Sequence, residues 1–250
     1  MSFHLETNPN YPTFTSSLLS IKTIFSQGNH TIHKARNEIK VIPIENLSCV
    51  VKSFKVPHLI NRIVYAYFRK SKAYKSYHNA LKLIELNITT PDPIGYIEFF
   101  KLGLFDESYF ISQHVNYDLT MADVRDNPPD DANAILMALG KFTYEIHQKG
   151  VWHSDYSGGN ILIKRDEGGY EFYLVDINRM KFLAIDGYEG LENFNKMWLN
   201  TNDLTLIAMS YADCADLDSL TAIERILYHD SRLKVKVERK RRWKKFFSRR

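Results

Sequence analysis

Hydrophobic residues along this chain follow two different periods. Between residues 17 and 56, short β-rich runs cover Leu18 to Phe25, Glu38 to Ile44 and Ser48 to Phe54. Gly28-Asn29 and Glu45-Asn46 punctuate them, which predicts an antiparallel meander. Residues 1–16 carry no such pattern and read as an irregular lead-in. From 58 to 87 the spacing becomes helical, first through Ile60, Ile63, Val64, Tyr67 and Phe68, then through Tyr74, Tyr77, Leu81 and Ile84. Thr90-Pro91-Asp92-Pro93 closes that region, because proline and the residue before it resist helix. Two more strand-like runs follow, Ile94–Phe100 and Tyr109–Ser112, with a turn near Gly103 and Asp106.

The second half is mainly helical. After a polar connector, Pro128-Pro129-Asp130 introduces a helix whose apolar face holds Ala132, Ile135, Leu136, Leu139, Phe142 and Ile146, with Gly150 as its stop. A loop from Trp152 to Asn160 leads to a predicted hairpin, Ile161–Lys164 and Tyr170–Ile177, around Asp166-Glu167-Gly168-Gly169. Helical or mixed segments fill 187–230. The pattern predicts a β-rich lobe with one helical excursion over 1–112, a mainly helical lobe over 113–231, and a separate tail over 232–250.

Composition narrows the class. The 250 residues, 44% of them hydrophobic, suffice for one sizeable core or two small lobes. Two cysteines, Cys49 and Cys214, stand far apart and outside any CxxC spacing, which argues against a disulfide scaffold or a Cys-rich zinc site and fits a reducing compartment. No run of 18 apolar residues occurs, and Met1 to Thr15 lacks a hydrophobic signal core, so neither a membrane span nor secretion is expected. The charge is unevenly spread. Residues 232–250 hold 11 Lys/Arg against Glu238 alone, a net of +10, and the chain total of +4 leaves −6 for the body.

The candidate chemistry lies in His153-Ser154-Asp155, with Asn160 five residues past the aspartate, and in Asp176 after the predicted hairpin. Upstream, Lys52 ends the apolar run Cys49-Val50-Val51-Lys52. Strand lysine, loop Asp and Asn, then a further Asp after a hairpin is the order found in protein-kinase-like phosphotransferases. Phosphoryl transfer needs positioning and charge neutralisation more than covalent chemistry. In that reading Lys52 neutralises the α/β-phosphates of ATP, Asp176 and Asn160 hold Mg²⁺, and Asp155 accepts the proton of the acceptor hydroxyl. Ser154 is no hydrolase nucleophile, since Gly-x-Ser-x-Gly is absent. His147 and His153 lie six residues apart across a helix end, which is no zinc spacing, and a structural role is expected for both.

Several segments also resemble a family. Lys52-Ser53-Phe54-Lys55, Arg69-Lys70-Ser71-Lys72-Ala73, Thr90-Pro91-x-Pro93-Ile94, Ser157-Gly158-Gly159-Asn160 and Asp176-Ile177-Asn178-Arg179-Met180-Lys181-Phe182 are similar to the bacterial lipopolysaccharide kinases that phosphorylate Kdo and heptose in the inner core. The resemblance runs from about residue 25 to about 230. It implies an α+β, bilobal protein-kinase-like fold, ATP with Mg²⁺, and a lipopolysaccharide sugar hydroxyl as acceptor, with Kdo as the expected branch. It also implies a phosphate-covering loop at Phe25–His30, where Gly28 is the one glycine, and an adenine-reading backbone at Gln113-His114-Val115, carried by Gln113 and Val115. His153 is expected to support the catalytic loop. On the helix after Lys52 the family carries a glutamate that pairs with the lysine; this sequence has His78 there, with Glu85 seven residues on as the substitute.

Partners follow from the acceptor and the tail. Trp243, Phe246 and Phe247 share one helical face amid Lys and Arg, the pattern of an interfacial membrane helix. The expected place is the cytoplasmic face of the inner membrane, bound to lipid A–Kdo or lipopolysaccharide and to an anionic surface, with no nucleic acid expected. A catalytically weak pseudokinase scaffold and an atypical kinase associated with RNA remain as alternatives.

Overall fold

In the computed structural model, residues 2–34, 37–56 and 58–247 are described, Lys34 and Phe246 by their backbone alone. The chain divides into two compact units, Met1–Asn116 with Asp176–Arg179, and Tyr117–Val175 with Met180–Arg250.

The first unit is built on an antiparallel sheet. In chain order its elements are β1 (Ser2–Thr7), α1 (Phe14–Leu19), α2 (Ile21–Gln27), β2 (His30–Lys34), β3 (Asn37–Ile44), β4 (Leu47–Phe54), α3 (Leu59–Tyr67), α4 (Lys72–Glu85), β5 (Pro93–Lys101) and β6 (Leu104–Gln113). The strands lie in the order β1-β5-β6-β4-β3-β2. Because successive side chains point to opposite faces, β4 serves two cores. Cys49 and Val51 join Phe14, Leu18, Ile21 and Phe25 of α1 and α2. Phe54 joins Ala73 and Tyr77 of α4 with Tyr96 and Phe110 on the other face. Lys52, opposite Ile39 and Phe110 in the ladder, is in register with Phe54.

Two expectations for this region are corrected. Leu18 to Phe25 forms the helices α1 and α2 rather than a strand. Phe14, Leu18, Ile21 and Phe25 recur at helical spacing, and it is these side chains that bury against the sheet. The lead-in is also ordered, since Ser2–Thr7 pairs antiparallel with β5 at the edge of the sheet. Its first three residues are exposed, so no alternation marks it.

The second unit contains β7 (Leu119–Thr120), α5 (Met121–Asp126), α6 (Ala132–Gln148), β8 (Val151–His153), β9 (Ile161–Asp166), β10 (Gly169–Leu174), β11 (Met180–Phe182), α7 (Gly187–Gly190), α8 (Thr201–Ala215) and α9 (Ser219–Phe247). Short 3-10 turns cover Gly158–Asn160 and Leu191–Lys196. β9 and β10 form the expected hairpin, with Tyr173 opposite Leu162. β8 pairs with β11, setting His153 against Met180. The helix over 132–148 buries Ile135, Leu136, Leu139 and Ile146 and ends before Gly150, whose φ of +71° suits a residue without a Cβ. The basic tail is no separate element as far as Phe247. It continues α9, whose Ala222 and Ile226 are buried while Trp243 and Phe247 are exposed. The side chain of Phe246, part of the expected apolar stripe, and residues 248–250 lie outside the described residues.

Close packing of α6 on α8 depends on Gly140, where an added Cβ would stand 2.7 Å from the Ile207 carbonyl oxygen and 3.1 Å from Ser210 Cβ. Backbone cannot yield as a flexible side chain does. Gly140→Ala should therefore lower stability by about 1–3 kcal/mol in urea denaturation, despite alanine's better helix propensity.

Candidate active site

β4 delivers Lys52 into the first unit as a buried cation, and its Nζ pairs with Asp176 Oδ1. A buried ammonium needs such a counter-charge to avoid its desolvation penalty. Asp176 reaches it through a left-handed backbone, φ +54°, which L-residues adopt rarely and which aspartate tolerates better than most. Asn178 Nδ2 donates to the same carboxylate oxygen at 2.7 Å. From α4, Asn79 Nδ2 donates to the Ile177 carbonyl at 2.7 Å, clamping the backbone just after Asp176.

The other residues expected beside Lys52 stand elsewhere. His78 Nε2 lies 3.3 Å from Glu6 of β1, and its ring packs tilted against Tyr74 at 4.0 Å between centroids. Glu85 pairs with Lys82 at 3.0 Å on the exposed side of α4. The lysine partner in this structure is Asp176, not a side chain of the helix. The segment expected to form a phosphate-covering loop, 25–30, begins as helix. Residues up to Gln27 are helical, and Gly28 follows as the cap of α2. A Cβ on Gly28 would fall 2.7 Å from Ile42 Cδ1, so this glycine serves helix-to-sheet packing. At the far end of β6, Gln113 N–H donates to the Asp92 carbonyl and His114 N–H to that of Ser48. Val115 N–H has no hydrogen bond among the described residues.

The second unit positions Asp155 and Asn160. Asp155 N–H donates to His153 Nδ1 at 3.1 Å. That nitrogen is then the acceptor, so Nε2 carries the hydrogen and donates to the Val175 carbonyl at 2.9 Å. Asn160 Nδ2 donates to the Asp155 carbonyl at 2.8 Å, which turns its Oδ1 outward from that bond. Val175 N–H donates in turn to the Asn160 carbonyl at 3.0 Å. One imidazole thus joins the Asp155 N–H to the Val175 carbonyl.

Sequence reasoning missed three residues here. Asn193 Nδ2 donates to the His153 carbonyl at 2.9 Å, and its Oδ1 accepts from His147 Nε2 at 3.1 Å. His147 Nδ1 then accepts from Tyr211 at 2.9 Å, so both ring nitrogens of His147 are engaged structurally. Lys196 lies 3.3 Å from Asp155 Oδ1 and also donates to the Ser154 carbonyl. Asn79 is the third, on α4. Asn193 and Lys196 sit some forty residues beyond the loop they serve, in a stretch without motif, and no local spacing announces them.

A hard cation such as Mg²⁺ prefers oxygen donors and uses one or two carboxylates together with substrate phosphates. The Asp176 carboxylate and Asn160 Oδ1 are donors of that kind. Among the described residues no group of three or more His, Cys, Asp or Glu gathers as an all-protein cage.

A strand lysine paired with a post-hairpin aspartate, and a loop aspartate held by histidine and asparagine, define a protein-kinase-like framework. The family model for the lipopolysaccharide kinase (Kdo/WaaP) family matches residues 56–219, and the chain belongs to that family. A 3-deoxy-D-manno-octulosonic acid kinase of Haemophilus influenzae is 21% identical over 140 residues, covering 55% of this chain and 56% of that protein. The chain thus spans about half the length of the curated relative it matches. A solved structure, WaaP in complex with acyl carrier protein, superposes with a TM-score of 0.59 at 15% identity, over 96% of this chain and 98% of the other. The α+β kinase-like fold class is therefore the observed one.

Burial lowers the pKa of His147 to about 4. The unfolded chain, with histidine near its ordinary 6.5, takes up a proton first as pH falls. Stability contributed by neutral His147 is thus full above about pH 6.5 and is lost progressively toward pH 4. Chemical denaturation across that range should show the decline, and His147→Gln should flatten it while lowering stability at neutral pH.

Proposed function

We propose that this protein transfers the γ-phosphoryl group of ATP to a hydroxyl of Kdo in the lipopolysaccharide inner core. The observation that carries the reading is the pairing of buried Lys52 with half-buried Asp176, which would unite a phosphate-binding cation with a metal-binding carboxylate. Family membership and the similarity to a Kdo kinase support the acceptor class.

In this mechanism the acceptor oxygen forms a bond to the γ-phosphorus as the bridging β–γ P–O bond breaks. ADP leaves with the electron pair, and the hydroxyl proton passes to the Asp155 carboxylate. Asp155 is held for that task by its N–H bond to His153 and by Lys196. Lys52 would neutralise phosphate oxygens, and Asp176 and Asn160 are the oxygen donors that would hold Mg²⁺, whose chemistry there would be further charge neutralisation. Gln113 and Val115 present backbone groups to the adenine edge. The Gln113 N–H is already engaged, which leaves the Val115 N–H for this role.

His78 and Glu85, which do not neutralise Lys52, motivate a second reading as a weak pseudokinase. The Lys52–Asp176 pair and the Asn79 clamp on Ile177 favour catalysis instead. We place the protein on the cytoplasmic face of the inner membrane, with the basic end of α9 toward the anionic leaflet. No helix of the described residues is long and apolar enough to cross a membrane.

Purified protein with ATP, Mg²⁺ and a deacylated Kdo acceptor tests the reaction. Asp155→Asn should lower turnover by about a hundredfold or more while nucleotide titration stays near normal. Asp176→Asn should weaken nucleotide binding only when Mg²⁺ is present. Near-normal turnover in Asp155→Asn would end its assignment, and no turnover in the parent protein would favour the pseudokinase.

A further inference from the structure

Helix α3 is built with its apolar face outward. Its inner side is polar and aromatic. Arg62 donates through Nε to the Phe105 carbonyl at 2.7 Å and pairs with Asp106 at 3.0 Å, while Tyr65 packs on Phe105 at 5.5 Å. These contacts fix the helix on β6. The residues at i, i+3 and i+4 spacing on the other side are left in solvent, with Ile60 78% exposed and Leu59, Ile63 and Tyr67 also exposed. Phe68, just past the helix, is 81% exposed. A soluble amphipathic helix turns such a face to its core.

The ridge extends across the neighbouring turn. Tyr67 donates to the Gly103 carbonyl at 3.2 Å, which brings the β5–β6 turn against α3. Leu102 at its tip is 93% exposed. Leu102 and Gly103 both have positive φ, 53° and 74°, a turn that prefers Asn-Gly. An isobutyl side chain held in a strained backbone and presented to water serves neither folding nor solubility.

The surroundings identify what covers this surface. Residues 55–84 contain seven Lys/Arg and no Asp or Glu. Lys55, Arg69 and Lys70 are exposed, as is Lys101 beside the turn. Lys70 lies over the Tyr74 ring at 4.3 Å and Arg69 over Tyr65 at 5.7 Å, cations riding on aromatic rings at the rim of an apolar ridge. Beside the helix a recess of about 370 Å³ is lined by Lys55, His58, Ser71 and Lys72, among others. An apolar ridge rimmed by cations matches the acyl boundary and headgroups of an anionic bilayer.

We propose that α3 and the Leu102 turn form a membrane-docking surface. Ile60, Phe68 and Leu102 enter the acyl boundary, and Lys55, Arg69, Lys70 and Lys101 meet lipid phosphates. The surface is distinct from the basic end of α9, and it deepens the proposed function, resting on that reading for the membrane-held acceptor. Docking needs no nucleotide, so its failure is separable from failure of phosphotransfer.

The test uses the full chain and vesicles of phosphatidylcholine with or without phosphatidylglycerol. Ile60→Cys in a Cys214→Ser background, labelled with an environment-sensitive fluorophore, should shift to the blue on anionic vesicles and be quenched by shallow brominated lipids. Leu102→Asn should raise the melting temperature by relieving the turn, yet weaken vesicle binding. Combined with Phe68→Ser, it should weaken binding by about tenfold or more while turnover on a deacylated acceptor persists. Lys244→Glu with Lys245→Glu should leave the fluorophore shift in place. The proposal is overturned if the label at position 60 sees no lipid, if those α9 reversals alone abolish the shift, or if Phe68→Ser changes only self-association.

Discussion

The neutral imidazole of His153 is the joint on which the loop carrying Asp155 depends. It accepts from the Asp155 N–H through Nδ1 and donates to the Val175 carbonyl through Nε2, so one ring fixes the loop and the last residue before Asp176. Both bonds require a single tautomer, and burial at 1% exposure removes water as a competitor. The Asn193 bond to the His153 carbonyl and the Tyr211–His147–Asn193 chain behind it extend that support into α6 and α8. A loop that must aim a carboxylate is thereby anchored by hydrogen bonds to rigid elements rather than by its own residues.

Within the first unit the charge problem is solved differently from the familiar helix-glutamate arrangement. Lys52 is neutralised by the aspartate that follows the hairpin. The helix contributes an amide, Asn79, that holds the backbone beside that aspartate. His78 is absorbed into a cluster with Glu6, Tyr74 and Tyr96, which ties α4 to the edge of the sheet.

Much of the fold was legible because the relevant periods are long or strongly marked. α6, with its apolar face and Gly150 stop, and the β9–β10 hairpin with its Gly-Gly turn follow from local pattern. The order Lys52, Asp155, Asn160, Asp176 follows from spacing. The run that forms α1 and α2 reads as a strand because a short apolar run has no unambiguous period, and the Phe14-to-Phe25 spacing becomes decisive only once the sheet beneath is known. β1 was illegible because an exposed edge strand needs no alternation. The partner of Lys52 and the supports at Asn79, Asn193 and Lys196 are tertiary facts, reached across up to 124 residues of chain, and no motif encodes them. A lone glycine such as Gly28 reads equally as a loop or as a close helix-to-sheet contact.

The proposed phosphorylation of an inner-core sugar of lipopolysaccharide assigns separate roles to Asp155 and to the Lys52–Asp176 pair. Mass spectrometry of lipopolysaccharide from cells with and without this protein tests it most directly. One additional phosphate on a Kdo residue, present only when the protein is made and absent when Asp155→Asn replaces it, is the predicted result. Identical core phosphorylation in all three strains would contradict it.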